Sequence, residues 1–190
     1  MTSSKLDRRK QYTRRVLKES LINLLKEKQI SSITVKELCE TADINRSTFY
    51  SHYSDQYDLL SKIEEEIIKD MNQTLSQYNF TKEEETLQMT EKLLEYVAAN
   101  SDICRTLLSE HGDATFQKRV MLTAHQFTMQ DWMGINSLDE EISEYVSIFV
   151  IAGSIHVIKS WLDDGMDKTP KEMAEIINSL TNKGLSSLRG

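Results

Sequence analysis

The sequence predicts an all-α protein of about nine helices. One proline and six glycines in 190 residues leave few positions that would interrupt a helix. No run of alternating apolar and polar residues is long enough to indicate a strand. Capping boxes, in which a threonine precedes a glutamate by three residues, mark three helix starts, at Thr34, Thr81 and Thr169.

The first helix is expected over about residues 6–28. Its apolar residues recur at helical spacing and define one face that should be buried. These residues are Val16, Leu17, Leu21, Leu24 and Leu25.

A helix-turn-helix should follow. The Thr34 box starts its first helix, and residues 43–45 break it, because Asp43 tolerates a left-handed backbone and Asn45 is a good N-cap. In the next helix, Phe49 and Tyr53 are spaced four apart and should anchor it in the core. The remaining positions can donate hydrogen bonds outward: Arg46, Ser47, Thr48, Tyr50, Ser51 and His52. A helix of this kind is suited to entering a DNA major groove.

Charge is distributed unevenly along the chain. The whole chain has a net charge of −7, yet residues 1–53 carry +5 and residues 54–190 carry −12. A basic segment on an acidic body indicates a polyanion-binding module, because each cation placed near a phosphate releases counterions. If the basic N-terminal residues are considered alone, the alternative to polyanion binding is a solvated tail without a partner. Together with the helix-turn-helix, the asymmetry favours double-stranded DNA as the partner.

Four further helices are expected between the helix-turn-helix and residue 140. A long fourth helix should begin at Ser54 and reach about Gln77, with acidic residues at its positive end. Capping and glycine positions then predict helices over about residues 82–99 and 102–110, and a seventh from residue 114 to about Trp132.

The last two helices should form a dimer interface. Residues 145–162 are apolar around the whole helix, so every side should be buried, one against the chain and one against a second copy. Ile151 and Ile158 are expected at that interface. Pro170 opens the final helix, which carries one apolar stripe. A homodimer is therefore expected through helices near 140–164 and 170–188, and an ordinary intrachain core is the alternative.

Several other functions find no support in the sequence. Cys39 and Cys104 lie in apolar helical patterns, and the four histidines are far apart, so neither a metal site nor a cofactor is expected. No pairing of a nucleophile with a base indicates an enzyme. The charged N-terminus and the absence of an apparent membrane span predict a cytoplasmic protein without a membrane partner.

These motifs resemble the TetR-type bacterial transcriptional regulators, most closely over about residues 8–60. Residues 104–116 and 161–170 resemble the regulatory domain of such proteins more weakly. The N-terminal positions that match are Ile33, Thr34, Leu38, Ala42, Ile44, Ser47–Tyr50, His52, Tyr53, Leu59 and Leu60.

The resemblance implies a sequence-specific regulator that acts as a homodimer on a pseudo-palindromic operator. Residues 1–53 would form the DNA-binding domain and residues 54–190 the helical regulatory and dimerisation domain. Arg46, Ser47 and Thr48 would face base edges, while Tyr50 and His52 would reach phosphates or bases. Thr34 and Lys36 would contact the DNA backbone. Asn45 and Ser51 complete the set of nine expected DNA-binding residues.

Two positions depart from the family pattern. Asp43 stands where many relatives have glycine, and the turn tolerates an aspartate there. Gln56 stands where a phosphate-clamping lysine is usual, so affinity for DNA would be lower or would depend on the basic N-terminal segment.

The mode of regulation stays open at this point. A repressor released by a small-molecule effector is one possibility, and a coactivator-type protein, or one regulated by a protein partner without its own effector, is the other. The effector is not identified by the sequence. Residues that fit either a pocket lining or plain core are Tyr96, His125, Phe127, Met129, Trp132, Phe149 and His156.

Overall fold

The computed structural model describes residues 3–77, 83–109, 111–112, 114–135 and 140–186. Those residues form nine α-helices and one short 3₁₀ turn, and no strand occurs among them, so the all-α prediction is confirmed. The helices are α1 (Ser3–Leu25), α2 (Val35–Ala42), α3 (Arg46–Tyr50), α4 (Gln56–Leu75), α5 (Glu83–Ala99), α6 (Ser101–Leu108), α7 (Ala114–Ile135), α8 (Glu140–Asp163) and α9 (Pro170–Ser186).

The chain divides into two compact units. The N-terminal unit comprises Met1–Ile67 and Thr106–Phe116, and the C-terminal unit comprises Ile68–Arg105 and Gln117–Gly190. The helix-turn-helix lies wholly in the N-terminal unit, which extends beyond residue 53 into α4 and includes the connection from α6 to α7. The assignment of residues 1–53 to DNA binding is a statement about function and stays a prediction.

The core of the N-terminal unit follows the spacing predicted for α1. Leu17, Leu21 and Leu25 are buried, and α1 packs against α2. The helix runs from Ser3 to Leu25 rather than from 6 to 28. The sequence did not indicate the 3₁₀ turn Ile30–Ser32, which leads into the buried Ile33. An ion pair between Lys28 and Glu37 links this connection to α2.

The core of the C-terminal unit lies where α5 packs against α9. Leu94, Trp161, Met173 and Ala174 form its buried cluster. The Trp161 indole donates a hydrogen bond to the Lys168 carbonyl at 2.9 Å, which fixes the connection between α8 and α9. Gly165 adopts φ +83° in this connection, a conformation that side chains rarely take.

Two of the three predicted capping boxes fall within the described residues. The Thr34 hydroxyl accepts a hydrogen bond from the Glu37 N–H at 3.2 Å, and that of Thr169 accepts one from the Glu172 N–H at 3.2 Å. Both helix starts are confirmed. The Thr169 box is complete, because the Glu172 carboxylate also accepts from the Thr169 N–H at 2.7 Å, whereas the Glu37 carboxylate pairs with Lys28. Thr81 lies outside the described residues. Gly134 and Gly184 do not end helices; they lie within α7 and α9.

The orientation of α8 corrects the sequence-based expectation. Ile151 is only 7% exposed because it packs inside the chain, and Ile158 packs against the buried cluster of the C-terminal unit. The most exposed apolar residues of α8 are instead Tyr145, at 68%, and Phe149, at 79%. The expectation that Ile151 faces a partner is therefore wrong, because the chain's own core takes that side of the helix.

One further expectation about α8 needs correction. By length and composition alone, Ile142–Asp163 is long and apolar enough to cross a membrane, with a mean hydropathy of 1.5 over its most apolar 18 residues, of which 22% are buried. The expectation that no segment would qualify is wrong in those terms. Core helices of soluble proteins meet the same criterion, so the finding is weak evidence for a membrane.

Candidate nucleic-acid interface

The turn between α2 and α3 has the backbone geometry that the sequence predicted. Asp43 ends α2 with φ 51° and ψ 45°, in the left-handed region, and the Ile44 N–H donates to the Cys39 carbonyl at 3.0 Å. Asn45 then caps α3, because its Oδ1 accepts from the Ser47 N–H at 3.0 Å. The reversal is thus fixed by a single left-handed residue and a side-chain cap.

Phe49 fixes the orientation of α3. Its side chain is fully buried, and the Tyr53 ring lies 5.8 Å from the Phe49 ring, centroid to centroid. Tyr53 was expected within the same helix, but it is half-buried and lies after the end of α3, which spans five residues. With Phe49 inside, Arg46 and Tyr50 are exposed.

Four of the nine expected DNA-binding residues also hold local structure in the free chain. Thr34 and Asn45 are the N-caps of α2 and α3. The Ser47 hydroxyl donates to Asn45 Oδ1 at 3.1 Å, and the Ser51 hydroxyl donates to the Thr48 carbonyl at 2.7 Å. The sequence had indicated the caps but not these two hydroxyl bonds. Their substitution would change the helix ends as well as any DNA contact.

The cationic side chains of the motif remain at the surface. Lys36 Nζ lies 3.9 Å from the Glu40 carboxylate, and both side chains are largely exposed, so this pair contributes little stability. Arg46 is exposed at the first position of α3. A shallow groove of about 410 Å³ runs past both cations; its lining is Lys36, Cys39, Glu40, Asp43, Ile44, Asn45 and Arg46.

The floor of this groove is chemically inert. Cys39 is buried, and burial raises the pKa of its thiol, while the charge of Arg46 lowers it and that of Glu40 raises it. The thiol therefore stays protonated at neutral pH and packs as a small apolar group.

His52 lies in a positively charged environment that sequence reasoning did not identify. Burial lowers the pKa of its imidazole, and the charges of Arg14 and Lys10 lower it further. Arg14 also lowers the pKa of Tyr53, although burial raises that pKa on balance. The available signal in the sequence was the four-residue spacing of Lys10 and Arg14, which puts both on one face of α1.

The residues suggested for an effector pocket separate into different environments. His125 Nδ1 lies 2.9 Å from the hydroxyl of the fully buried Ser147. The Tyr96 hydroxyl donates to the Asp70 carboxylate at 2.9 Å. His156 is exposed, as is Phe149. The side chains of Phe127, Met129 and Trp132 lie outside the described residues.

The contact between Ser147 and His125 pairs a potential nucleophile with a base, which the sequence did not reveal. Because Ser147 is fully buried, a substrate has no access to its hydroxyl. Among the described residues, no group of three or more His, Cys, Asp or Glu side chains could hold a metal ion.

Comparisons with known proteins cover both parts of the chain. Residues 84–183 match a family model, TetR_C_8, described as the C-terminal region of transcriptional regulators. A curated relative, the uncharacterized HTH-type transcriptional regulator YxbF of Bacillus subtilis (strain 168), is 36% identical over 64 residues. That match covers 34% of this chain and only 16% of the length of YxbF.

Solved structures share the whole fold. A TetR transcriptional regulator from Streptococcus agalactiae 2603V superposes with a TM-score of 0.67 at 22% identity, covering 94% of this chain and 98% of that chain. The regulator FadR from Bacillus subtilis, solved in complex with stearoyl-CoA, gives 0.66 at 13% identity, covering 89% and 97%. At these identities the likeness concerns the fold alone.

Proposed function

For this chain, which belongs to the TetR family of transcriptional regulators, we propose a homodimeric repressor that reads a pseudo-palindromic operator. The family consists of DNA-binding regulators and not of enzymes, so the expectation that the chain is not an enzyme is confirmed. The dimer, the operator, the repressor role and the individual contacts are the content of the proposal.

The observation that carries the proposal is the exposed polar face of α3. With Phe49 buried, Arg46 and Tyr50 point away from the core of the N-terminal unit. A guanidinium can grip guanine O6 and N7 in bidentate fashion, so Arg46 is assigned to base reading together with Ser47 and Thr48. Tyr50, placed on the same helix, is assigned to phosphates or bases.

Backbone contacts are assigned to the residues around α3. Lys36 is exposed on α2, and its weak pairing with Glu40 leaves it able to exchange that partner for a phosphate. His52 is assigned to phosphate, and Thr34, Asn45 and Ser51 contribute by keeping the helix ends in place. Residues 1–53 are thus proposed as the DNA-binding domain, and residues 54–190 as the regulatory and dimerisation domain.

The exposed apolar surface of α8 and α9 supports a homodimer. Tyr145 and Phe149 on α8, and Leu180 on α9 at 66% exposure, would stand in water in a single chain. Surfaces of this kind mark interaction sites. A second copy is proposed as the partner. In a dimer, α3 of each copy would serve as a reading helix, and two such helices contact a useful number of bases whereas one does not.

A protein partner suits α8 better than a lipid. The same helix carries Glu144 and Lys159, and it supplies Trp161 and Leu162 to the buried core of its own unit. A charge inside a bilayer is costly. We therefore place the protein in the cytoplasm, where its DNA partner lies, and assign no membrane partner.

Release by a small-molecule effector completes the proposal. The structural neighbour FadR from Bacillus subtilis was solved with stearoyl-CoA, which supports ligand control within this fold. The chemical class of the effector for this chain is not assigned. No cofactor is required for the proposed activity.

Selection of bound sequences from random duplex DNA tests the proposal directly. The protein is incubated with a random library at low salt, and the retained duplexes are sequenced. Two-fold symmetric sites with half-sites about one helical turn apart, or a multiple of it, are expected for a dimer with two reading helices. Enrichment of single, asymmetric sites would reject the dimeric reading, and absence of enrichment would reject sequence-specific binding.

A further inference from the structure

The groove between α2 and α3 carries both signs of charge. Its lining includes two cations, Lys36 and Arg46, and two carboxylates, Glu40 and Asp43. The cations are the residues assigned above to the DNA backbone and to base reading. The four formal charges cancel, so the groove is more than a phosphate-binding surface. If it faces DNA, its carboxylates must either repel the DNA or find a hydrogen-bond donor on it.

Glu40 is held only loosely by its neighbour Lys36. It lies one helical turn after Lys36 on α2, and its carboxylate is 3.9 Å from the Lys36 Nζ. The two side chains are 67% and 66% exposed, so water screens the pair and its contribution to stability is small. When Lys36 exchanges this partner for a phosphate, as proposed above, the Glu40 carboxylate can accept from another donor.

Arg46 lines the same groove from the first position of α3. The charges of Arg46 and Glu40 both act on the Cys39 thiol at the floor of the groove: Arg46 lowers its pKa and Glu40 raises it. Among the residues that the structure describes, no ion pair joins Arg46 to Glu40. The groove therefore presents a guanidinium and a carboxylate that do not neutralise each other by direct contact.

The edge of a G·C base pair in the major groove has the complementary pattern. Guanine presents two acceptors, N7 and O6, and cytosine presents one donor, its N4 amino group. A guanidinium matches the two acceptors, and a carboxylate matches the donor. Phosphates offer only acceptors and repel a carboxylate. Because Arg46 is assigned to a guanine, the amino group of the paired cytosine is the donor on that pair that suits Glu40.

We propose that Glu40 is a specificity-determining residue, which accepts a hydrogen bond from the N4 amino group of the cytosine paired with the guanine that Arg46 reads. The inference rests on the proposed DNA-binding function and adds to it a residue of α2 that reads a base. An A·T pair in the same orientation would place the adenine amino group against the guanidinium and thymine O4 against the carboxylate. Both contacts would then be lost together.

An operator with one modified base tests this contact. The site is first selected from random duplexes, and the guanine read by Arg46 is the position at which Arg46→Ala loses its base preference. The cytosine paired with that guanine is then replaced by a pyrimidinone base that lacks the N4 amino group, which leaves guanine N7 and O6 in place. Binding of the natural and the modified duplex is measured by fluorescence anisotropy.

The loss of affinity caused by the modified base should be about tenfold larger for the wild type than for Glu40→Ala, as expected for one hydrogen bond to a charged group. Weaker pairing within the modified duplex affects every variant alike and cancels in this comparison. Asp43→Asn, which removes the other carboxylate of the groove, is the matched control. It should show the same loss as the wild type.

Random duplexes give a second readout, which a purely structural role of Glu40 would not produce. Glu40→Ala removes a negative charge that repels phosphates, so it should bind random duplexes at least as tightly as the wild type. The same variant should bind the selected site about tenfold more weakly. A loss of affinity on both kinds of duplex would contradict the base-reading role.

The outcomes separate the inference from the proposed function. Equal losses for the wild type and Glu40→Ala, loss of the discrimination in Asp43→Asn, or an Arg46→Ala variant that relaxes no guanine would overturn the inference and leave sequence-specific binding intact. Failure of the random library to yield any enriched site would overturn the proposed function, and the inference with it.

Discussion

Helices α3 and α8 both present side chains to solvent, but they present opposite chemistry. On α3, the exposed groups are a guanidinium, a hydroxyl and a phenol, and the one large apolar side chain, Phe49, is fully buried. On α8, large rings such as Tyr145 and Phe149 are exposed, while Ser147 is fully buried. The difference indicates a polar, charged partner for α3 and an apolar partner for α8.

The two helices also differ in how they are stabilised. A five-residue helix is too short to persist alone, so α3 depends on its Asn45 cap and on the burial of Phe49. The 24 residues of α8 form many turns and supply Trp161 and Leu162 to a core. The reading helix is thus held by few contacts, and each of them should be individually costly to lose.

The largest effect is expected from Phe49→Ala. Removing a fully buried aromatic side chain should cost about 3–5 kcal/mol of unfolding free energy. Urea denaturation followed by circular dichroism measures this loss. Tyr50→Ala is the control on the same helix; Tyr50 is largely exposed but its ring makes an edge contact with the Phe49 ring, so its cost should stay at about 0.5–1.5 kcal/mol. Equal losses in the two variants would contradict the inward orientation of Phe49.

A second large effect is expected from Phe149→Glu. A carboxylate placed in an apolar interface must be desolvated, so association should weaken by about 2–4 kcal/mol and the chain should elute as a monomer. Size-exclusion chromatography with light scattering measures the mass. Phe149→Leu keeps the apolar character and should remain dimeric. A dimer that persists in the glutamate variant would locate the interface away from the exposed side of α8.

Arg46→Ala should have an intermediate effect, on DNA and not on folding. Loss of a bidentate base contact should cost about 1–3 kcal/mol on the selected operator and relax the base preference at one position of each half-site. Lys36→Ala, by contrast, should weaken all sequences alike and lower the salt slope by about one. If Arg46→Ala weakened random and selected duplexes equally, its role would be that of a phosphate contact.

The smallest effect is expected from Asn45→Ala. Loss of the side chain that caps α3 should cost about 0.5–2 kcal/mol of stability. Asn45→Ser restores a capping oxygen and should recover most of the loss, as measured by thermal melting. If both variants have the melting temperature of the wild type, the cap does not stabilise α3. The difference in how α3 and α8 are stabilised would then be smaller.

The local elements of the reading unit were predictable from sequence because their causes are local. The Thr34 and Thr169 boxes and the left-handed Asp43 depend on atoms within a few residues of each other. The end of α3 was predicted less well, since Ser51 and Tyr53 continue the apolar and polar pattern beyond the last helical residue. The nine expected DNA-binding residues stay a prediction, although the structure gives four of them a second role in holding the helix ends.

The orientation of α8 marks where sequence reasoning stopped. A helix that is apolar around its circumference has no polar face to indicate which side is outside. Ile151 was therefore expected at an interface, whereas Phe149 is the exposed residue. The inclusion of Thr106–Phe116 in the N-terminal unit likewise depends on contacts between distant segments.

By itself the sequence determined the helical class, the capped starts within the described residues, the left-handed turn, and the row of donors on α3. Each of these follows from preferences of single residues or from spacings of three and four positions, which act at short range along the chain. Only the tertiary structure decided which side of α8 is buried and that Thr106–Phe116 belongs to the N-terminal unit. Those outcomes come from packing between helices that are far apart in sequence, and the period of one helix carries no information about its neighbour.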